Sequence, residues 1–445
     1  MFKLIIKNIW SRRKRNGWLL AELVIVTVLA WIILDPVIVR TYISQRSPGY
    51  DIERIARITM LAESKQSPRY DAEADTPEGR RDAARRIIDR IAAYSGVEMV
   101  APVSRWAMFE SQGSSWRSIN INDSTSINVS IVTFAAGSPF FELFGLKGVP
   151  GSPTASQLAE ITYGPGEVVI NESMARAFFP DGRATGHYLM ENTPGFEGPS
   201  PDGDSFRVAG VVNDAVTRSI YGRNMIMYCS EPMDDMLSAN CEYYNIVLRI
   251  KPGVNMASFI NDFRPFMKSE LKSGNLKAYD IKDLVSARDE LDLTQGITND
   301  MRIKIALAVF FLVNLCLGVI GTFYLQTRKR SEDAGVMRSF GATPRYIMRE
   351  MLGEGWVLTT LAWLVGCLAY MQYAIKEGLE VTGSVTGWGP KLAAFMPDWT
   401  DNFFLHFSIV SLIIYVILMI VVSVGIYIPA RRIIRVSPVD ALRDE

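Results

Sequence analysis

Apolar and polar positions alternate along this chain in two different rhythms. Four stretches are apolar almost without interruption: Trp18–Val39, Ile303–Leu325, Gly355–Tyr373 and Phe403–Ile428. Each reaches about 20 residues, the length a helix needs to cross the hydrocarbon of a bilayer. Between the first two stretches the pattern breaks into short pieces with the periods of helices and strands. Thr76-Pro77-Glu78 reads as an N-cap with proline at the first helical position. Ala84, Ile87, Ile88, Ile91 and Ala92 then repeat at helical spacing up to Gly96. Residues 118–134 alternate and predict two strands around Asp123-Ser124-Thr125. Val168–Ile170, Phe206–Val212 and Ile246–Ile250 predict further strands. Asn171 is placed to cap a helix over Glu172–Phe179, and Asn255–Lys272 reads as an amphipathic helix. Asp280–Asp300 has few breakers and predicts a helix continuous with the second span, a stiff stalk.

Charge orients this pattern. Residues 1–17 hold six Lys/Arg and no acid; residues 326–350 hold six against three acids, and 429–445 four against three. The 374–402 connection holds two basic residues and four acids, and the long segment 40–302 carries 28 basic and 34 acidic residues, a net of −6. Short positively biased loops stay on the cytoplasmic side. The expectation is therefore both termini and the 326–350 loop inside, and residues 40–302 outside. The first span follows a basic terminus but lacks a small-residue cleavage site, so it reads as an uncleaved anchor. Residues 2–16 place Phe2, Ile5, Ile6, Ile9 and Trp10 on one helical face, as in a helix lying along the membrane surface, or simply form a basic terminus that sets topology. The fold class is thus an α-helical membrane protein with four transmembrane helices and a large mixed α/β extracytoplasmic domain between helices 1 and 2. Its divisions are 1–17, 18–39, 40–302, 303–325, 326–354, 355–375, 376–402, 403–428 and 429–445. In the 376–402 connection, Trp388 and Trp399 are placed as interfacial anchors.

The chain of 445 residues has zero formal charge, which gives no sign of nucleic acid, and 49% of it is apolar. Chemistry is sparse. No G-x-x-x-x-G-K-[ST] occurs, so the chain has no phosphate-cradling loop. His187 reads as a loop residue and His406 as the start of the fourth span. With the cysteines available, the two histidines do not make a zinc set. Glu22 and Asp35 lie near the two ends of the first span, where each reaches water or headgroups, and no proton relay is assigned to them. Cys229 and Cys241 either form a disulfide, worth about 3 kcal/mol in the chain-entropy model, or remain free thiols; Cys316 and Cys367 read as small packing residues.

The loop between spans 2 and 3, Arg328–Gly355, reads RKRSEDAGVMRSFGATPRYIMREMLGEG. It resembles the cytoplasmic segment of MacB/FtsX-type ABC-transporter permeases, whose pattern is roughly R-K-R-x-E-E-I-G-I-R-R-A-L-G-A-S. Gly335, Arg338, Gly341 and Ala342 match; Asp333 stands for the second acid, Ala334 and Val336 for isoleucines, and Met337 for the first arginine. Val169-Ile170-Asn171-Glu172, then Ala175, Phe178-Phe179-Pro180 and Gly186, is similar to a stretch of the same family's outer core domain. Phe206–Asp214 is similar to its x-x-V-x-G-V-V-x-D, and Pro429, Ala430, Pro438, Ala441, Leu442 and Arg443 to its ending. The resemblance implies a coupling helix seated in a separate ABC ATPase, with Arg330, Glu332, Asp333, Gly335, Val336, Arg338, Gly341, Ala342, Thr343 and Pro344 as partner contacts. It implies a non-catalytic permease subunit of the bacterial inner membrane that carries no cofactor, ATP and magnesium being bound by the partner. In MacB itself the ATPase is fused at the amino terminus, whereas here about seventeen residues precede the first span, so a partner ATPase is expected. It further implies a homodimer or heterodimer, an elbow helix at the amino terminus and contact with membrane lipid. For efflux of peptides, toxins or antibiotics by mechanotransmission, it implies a periplasmic adaptor and an outer-membrane duct. Lipoprotein release and control of a cell-wall hydrolase are the alternatives within the same family.

Overall fold

The computed structural model describes residues 13–122, 125–191, 204–218, 224–328, 336–380 and 398–435. The chain divides into two units, one formed by Met1–Thr41, Thr298–Val381 and Trp399–Glu445, the other by Tyr42–Ile297 with Thr382–Asp398.

The second unit is built on eleven strands: β1 Ile55–Ala62, β2 Val97–Ser104, β3 Ser115–Asn122, β4 Thr125–Ala135, β5 Glu167–Asn171, β6 Tyr188–Glu191, β7 Ser205–Val212, β8 Ile226–Glu231, β9 Tyr244–Ile250, β10 Lys272–Ser273 and β11 Leu276–Asp283. Their order is β10-β11-β1-β9-β2-β4-β3-β6-β7-β5-β8, and β8 returns to pair in parallel with β4. That return closes β4-β3-β6-β7-β5-β8 into a six-stranded barrel. The remaining strands form an open sheet that shares β4 with the barrel. Three apolar cores follow from the alternation of side chains along each strand. Ile119, Val129, Ile131, Ile170, Val208 and Met227 meet inside the barrel. On one face of the open sheet, Ile58, Ile246, Leu248 and Ile281 pack on Ile87 and Ile91 of the helix Pro77–Ala92 and Phe263 of the helix Met256–Glu270. On the other face Ile55 and Val247 join Val132, Phe134, Val212 and Tyr228 from the barrel exterior, with Phe140, Phe141 and Phe144 between them. Phe134 and Phe140 stack at 5.2 Å, and Tyr50 stacks on Phe109 at 4.3 Å. Tyr50 is buried there and donates its hydroxyl to Glu110 at 3.1 Å; burial first, and then the adjacent carboxylate, hold the phenol well above its ordinary pKa.

Caps stand where the sequence placed them. Thr76 accepts from Gly79 N–H at 3.0 Å, Asn171 from Met174 N–H at 3.3 Å and Asn255 from Ser258 N–H at 3.0 Å. The continuous stalk expected over Asp280–Asp300 does not form. Its first residues are the end of β11, and a separate helix runs Leu284–Thr294. Gly296 then takes φ +77° and ends that helix before the next begins at Ile297. A residue in the left-handed region cannot continue a right-handed helix, and glycine enters that region at no steric cost. A single glycine in a polar helical pattern hid this break.

Among the described residues, the first unit holds four helices long and apolar enough to cross a membrane. Their full extents are Arg13–Ser44, Ile297–Arg328, Pro344–Glu377 and Phe403–Arg435, called spans 1 to 4 below. Leu23, Trp31, Leu358, Ala362, Val410, Ile414 and Val422 are buried where spans 1, 3 and 4 meet. Among its described residues, span 2 has none buried.

Candidate coupling site and the polar joints of the two units

Arg330, Glu332, Asp333 and Gly335 lie outside the described residues. From Val336 onward the loop between spans 2 and 3 has a defined shape. Phe340 N–H bonds to Val336 C=O at 3.2 Å, so one helical turn forms. Gly341 stops it at φ +89°, with Gly341 N–H to Arg338 C=O at 3.0 Å and Ala342 N–H to Met337 C=O at 2.9 Å. This 6→1 and 5→2 pair is the Schellman arrangement, and it explains why glycine stands at position 341. Thr343 then accepts from Tyr346 N–H at 3.3 Å and Pro344 opens span 3, as the cap chemistry required. Met337 and Ala342 pack inward on the helix core, while Val336, Phe340 and Tyr346 face out. Phe340 is 87% exposed at the tip of the turn. An aromatic ring held in water by a capped, rigid turn is a ready anchor for a partner pocket. In the sequence its signal is an apolar residue in a charged loop. Glu350, read as a loop charge, is instead buried at the start of span 3, with Glu354 one turn on.

The spans carry a second polar feature that sequence spacing did not reveal. His406 Nε2 lies 2.6 Å from Asp35 Oδ1, 371 positions apart, and both side chains are buried. The other carboxylate oxygen accepts from Glu380 N–H at 3.2 Å, and His406 Nδ1 lies 3.2 Å from Thr400 C=O. Trp31 stacks between Tyr370 at 4.8 Å and Phe407 at 4.7 Å, so one ring from each of spans 1, 3 and 4 forms a single column. Asp35 was expected to reach water or headgroups and His406 to begin the fourth span; they meet each other.

In the α/β unit the two motif stretches converge. Asp214 accepts from Ser173 N–H at 2.7 Å, Ser173 Oγ at 2.5 Å, Asn171 Nδ2 at 3.0 Å and Arg176 at 3.1 Å. Asn171 Oδ1 also accepts from Ile226 N–H at 3.0 Å, which holds β8 beside β5. Asn213 Oδ1 accepts from Lys147 N–H at 2.7 Å, and its amide donates to Gly49 C=O at 2.8 Å. These side chains satisfy backbone groups at the barrel's end, which is a structural role. Asp214→Ala is expected to lower the unfolding free energy by about 1–3 kcal/mol, because the buried Ser173 N–H and hydroxyl and the Asn171 amide lose their acceptor, while the exposed Arg176 adds little. Thermal unfolding of the purified chain measures it.

Cys229 and Cys241 are both free. Cys229 packs against the barrel core and Cys241 lies in the core beneath the helix Pro77–Ala92, so the pairing held open above is not made. Burial pushes the Cys229 thiol up to about 11 and raises Cys241 as well. Neither thiol of the folded chain is expected to react with iodoacetamide at pH 8, and reductant is expected to leave the unfolding temperature unchanged. Mass spectrometry and a thermal melt check this. Among the described residues no three His, Cys, Asp or Glu are grouped so as to hold a metal ion.

Among the described residues, four helices long and apolar enough to cross a membrane, an α/β domain inserted between the first and second, and a capped turn before the third stand together. Residues 38–266 match the MacB-like periplasmic core domain and residues 305–438 match the FtsX-like permease C-terminal domain. The chain belongs to the MacB/FtsX-type permease family. Over 326 residues it is 23% identical to "Macrolide export ATP-binding/permease protein MacB 1" of Yersinia pestis bv. Antiqua (strain Antiqua), covering 72% of this chain and 44% of that protein. The same figures hold for the MacB 1 protein of Yersinia pseudotuberculosis serotype I (strain IP32953). The chain thus spans less than half the length of these relatives, and the match is to their permease part. Among solved structures, it is similar to the periplasmic region of MacB from Actinobacillus actinomycetemcomitans, at 15% identity and TM-score 0.31, covering 56% of this chain and 98% of that one. It is also similar to a domain of a putative permease protein from Porphyromonas gingivalis, at 16% identity and TM-score 0.30, covering 52% and 90%. The family assignment rests on the domain matches and not on these two.

Proposed function

We propose that this chain is the transmembrane subunit of an ABC system, with ATP hydrolysis supplied by a separate ATPase and spent on moving the α/β domain. Both termini and the 326–354 loop face the cytoplasm of a bacterium's inner membrane, and the α/β domain lies outside. The observation that carries this reading is the loop between spans 2 and 3. It is short and basic, and its described part from Val336 onward is stiffened by two successive caps and turns Phe340 outward. Arg330, Glu332, Asp333, Gly335, Val336, Arg338 and the Gly341–Pro344 turn form the contact. Two such subunits, identical or related, work as a pair; span 2, none of whose described residues is buried, supports this. Efflux of a peptide, toxin or antibiotic through an adaptor and outer-membrane duct is the job we favour, since the matched relatives are macrolide export proteins.

Purification of the tagged chain in mild detergent tests the reading. An ABC ATPase is expected at about one per chain, with ATP and magnesium bound to it. Charge reversal at Glu332 and Asp333 together is expected to abolish stimulation of that ATPase and leave membrane insertion intact. Stimulation that survives the reversal removes the contact as drawn.

A further inference from the structure

Two of the polar contacts in the last turns of span 1 differ in kind. Arg40 pairs with Asp300 of span 2, and Lys304 reaches the same carboxylate at 3.1 Å. The side chains of Arg40 and Asp300 are 23% and 42% exposed, so water competes for this pair. Asp35 and His406 of span 4 are 4% and 0% exposed, and no water competes there. The same Asp35 holds Glu380 N–H just past span 3, and directly below it the Tyr370–Trp31–Phe407 column ties spans 1, 3 and 4 again. Separating span 1 from span 4 would strand a carboxylate and an imidazole in apolar surroundings, whereas separating span 1 from span 2 exposes only groups that water already reaches.

We propose that Asp35 and His406 are positioning residues that lock spans 1, 3 and 4 into one body, and that working motion of the membrane unit occurs between this body and span 2. Span 3 begins at the coupling turn and span 1 leads into the α/β domain. The lock therefore makes a push on the turn a push on that domain without a slipping joint. This last step rests on the function proposed above; the lock itself does not.

The test uses the full chain in lipid nanodiscs, with its four native cysteines replaced by alanine and pairs of cysteines introduced. Leu34 of span 1, Ile414 of span 4 and Ala308 of span 2 line one apolar crevice of about 180 Å³, so each cysteine pair is bridged across it with a short, reducible bis-methanethiosulfonate cross-linker. The Leu34→Cys/Ile414→Cys bond is expected to leave partner-stimulated ATPase activity unchanged. The Leu34→Cys/Ala308→Cys bond is expected to lower it by roughly fivefold or more, with recovery in reductant. Equal inhibition by both bonds overturns the proposal. A second readout needs no ATPase. Asp35→Asn, nearly the same shape, is expected to slow formation of the 34–414 bond about tenfold as span 1 parts from span 4. The exchange Asp35→His/His406→Asp is expected to restore the rate. An unchanged rate in Asp35→Asn overturns the lock even if the chain has no ATPase partner. A slowed rate without any ATPase stimulation upholds the lock and removes the function instead.

Discussion

Phe340→Asp is expected to cut partner-stimulated ATPase activity by roughly thirtyfold, the loss of a hot-spot residue worth about 2 kcal/mol, while the chain inserts and folds as before. Phe340 is 87% exposed and takes no part in the helix core, so its replacement costs the fold less than about 0.5 kcal/mol. What it changes is the tip of a turn whose backbone is fixed by the Gly341 termination and the Thr343 cap. A rigid turn loses little entropy when it docks, so most of the contact energy of the ring appears as affinity. A charged group at the tip is left without a partner in any apolar pocket that accepts the ring. Phe340→Trp keeps the apolar surface and is expected to retain most of the stimulation. Steady-state ATP hydrolysis by the purified partner, titrated with each variant, separates these outcomes. Equal stimulation by Phe340→Asp and the parent chain removes Phe340 from the contact.

The second large effect is at Gly366 in span 3. A Cβ built there lies 2.6 Å from Thr27 Cβ, 2.8 Å from Thr27 Cγ2 and 3.1 Å from Val24 O of span 1. Thr27 is fully buried, its hydroxyl is tied to Leu23 C=O at 2.7 Å, and a β-branched side chain has little rotamer freedom in a helix. Span 1 must therefore move as a body, and Gly366→Ala is expected to cost about 3 kcal/mol. Gly355 is the contrast. A Cβ there comes within 2.1 Å of Ile426 Cδ1, the far end of a side chain that can turn away. Gly355→Ala is expected to cost less than about 1 kcal/mol. Thermal unfolding in one detergent ranks the two. Comparable losses would mean that spans 1 and 3 do not meet at this close contact.

Local chemistry was legible in the sequence because it is decided within a few residues. The caps at Thr76, Asn171, Asn255 and Thr343 and the four apolar spans needed only neighbours at short spacing. Strands β1, β2, β6, β8, β10 and β11 were not read: Val97–Ser104 and Leu276–Asp283 mix polar and apolar residues without clean alternation, and β6 and β10 are only four and two residues long. The barrel depends on a parallel return of β8 to β4 across about ninety residues, which no local pattern announces. Asp214 and Asn171 were visible as motif residues, but their shared task appears only when the two strands lie side by side. The Asp35–His406 joint was invisible for the same reason, and each residue taken alone reads as an interfacial polar group.

The central claim is that the turn ending in Phe340 docks a separate ATPase. The most direct test places a photo-crosslinking phenylalanine analogue at position 340 in living cells, and at Trp116, an exposed residue of β3, as the comparison. An ABC ATPase is expected to be captured from position 340 and not from position 116, identified by mass spectrometry of the adduct. No ATPase at 340, or the same ATPase from both positions, would contradict it.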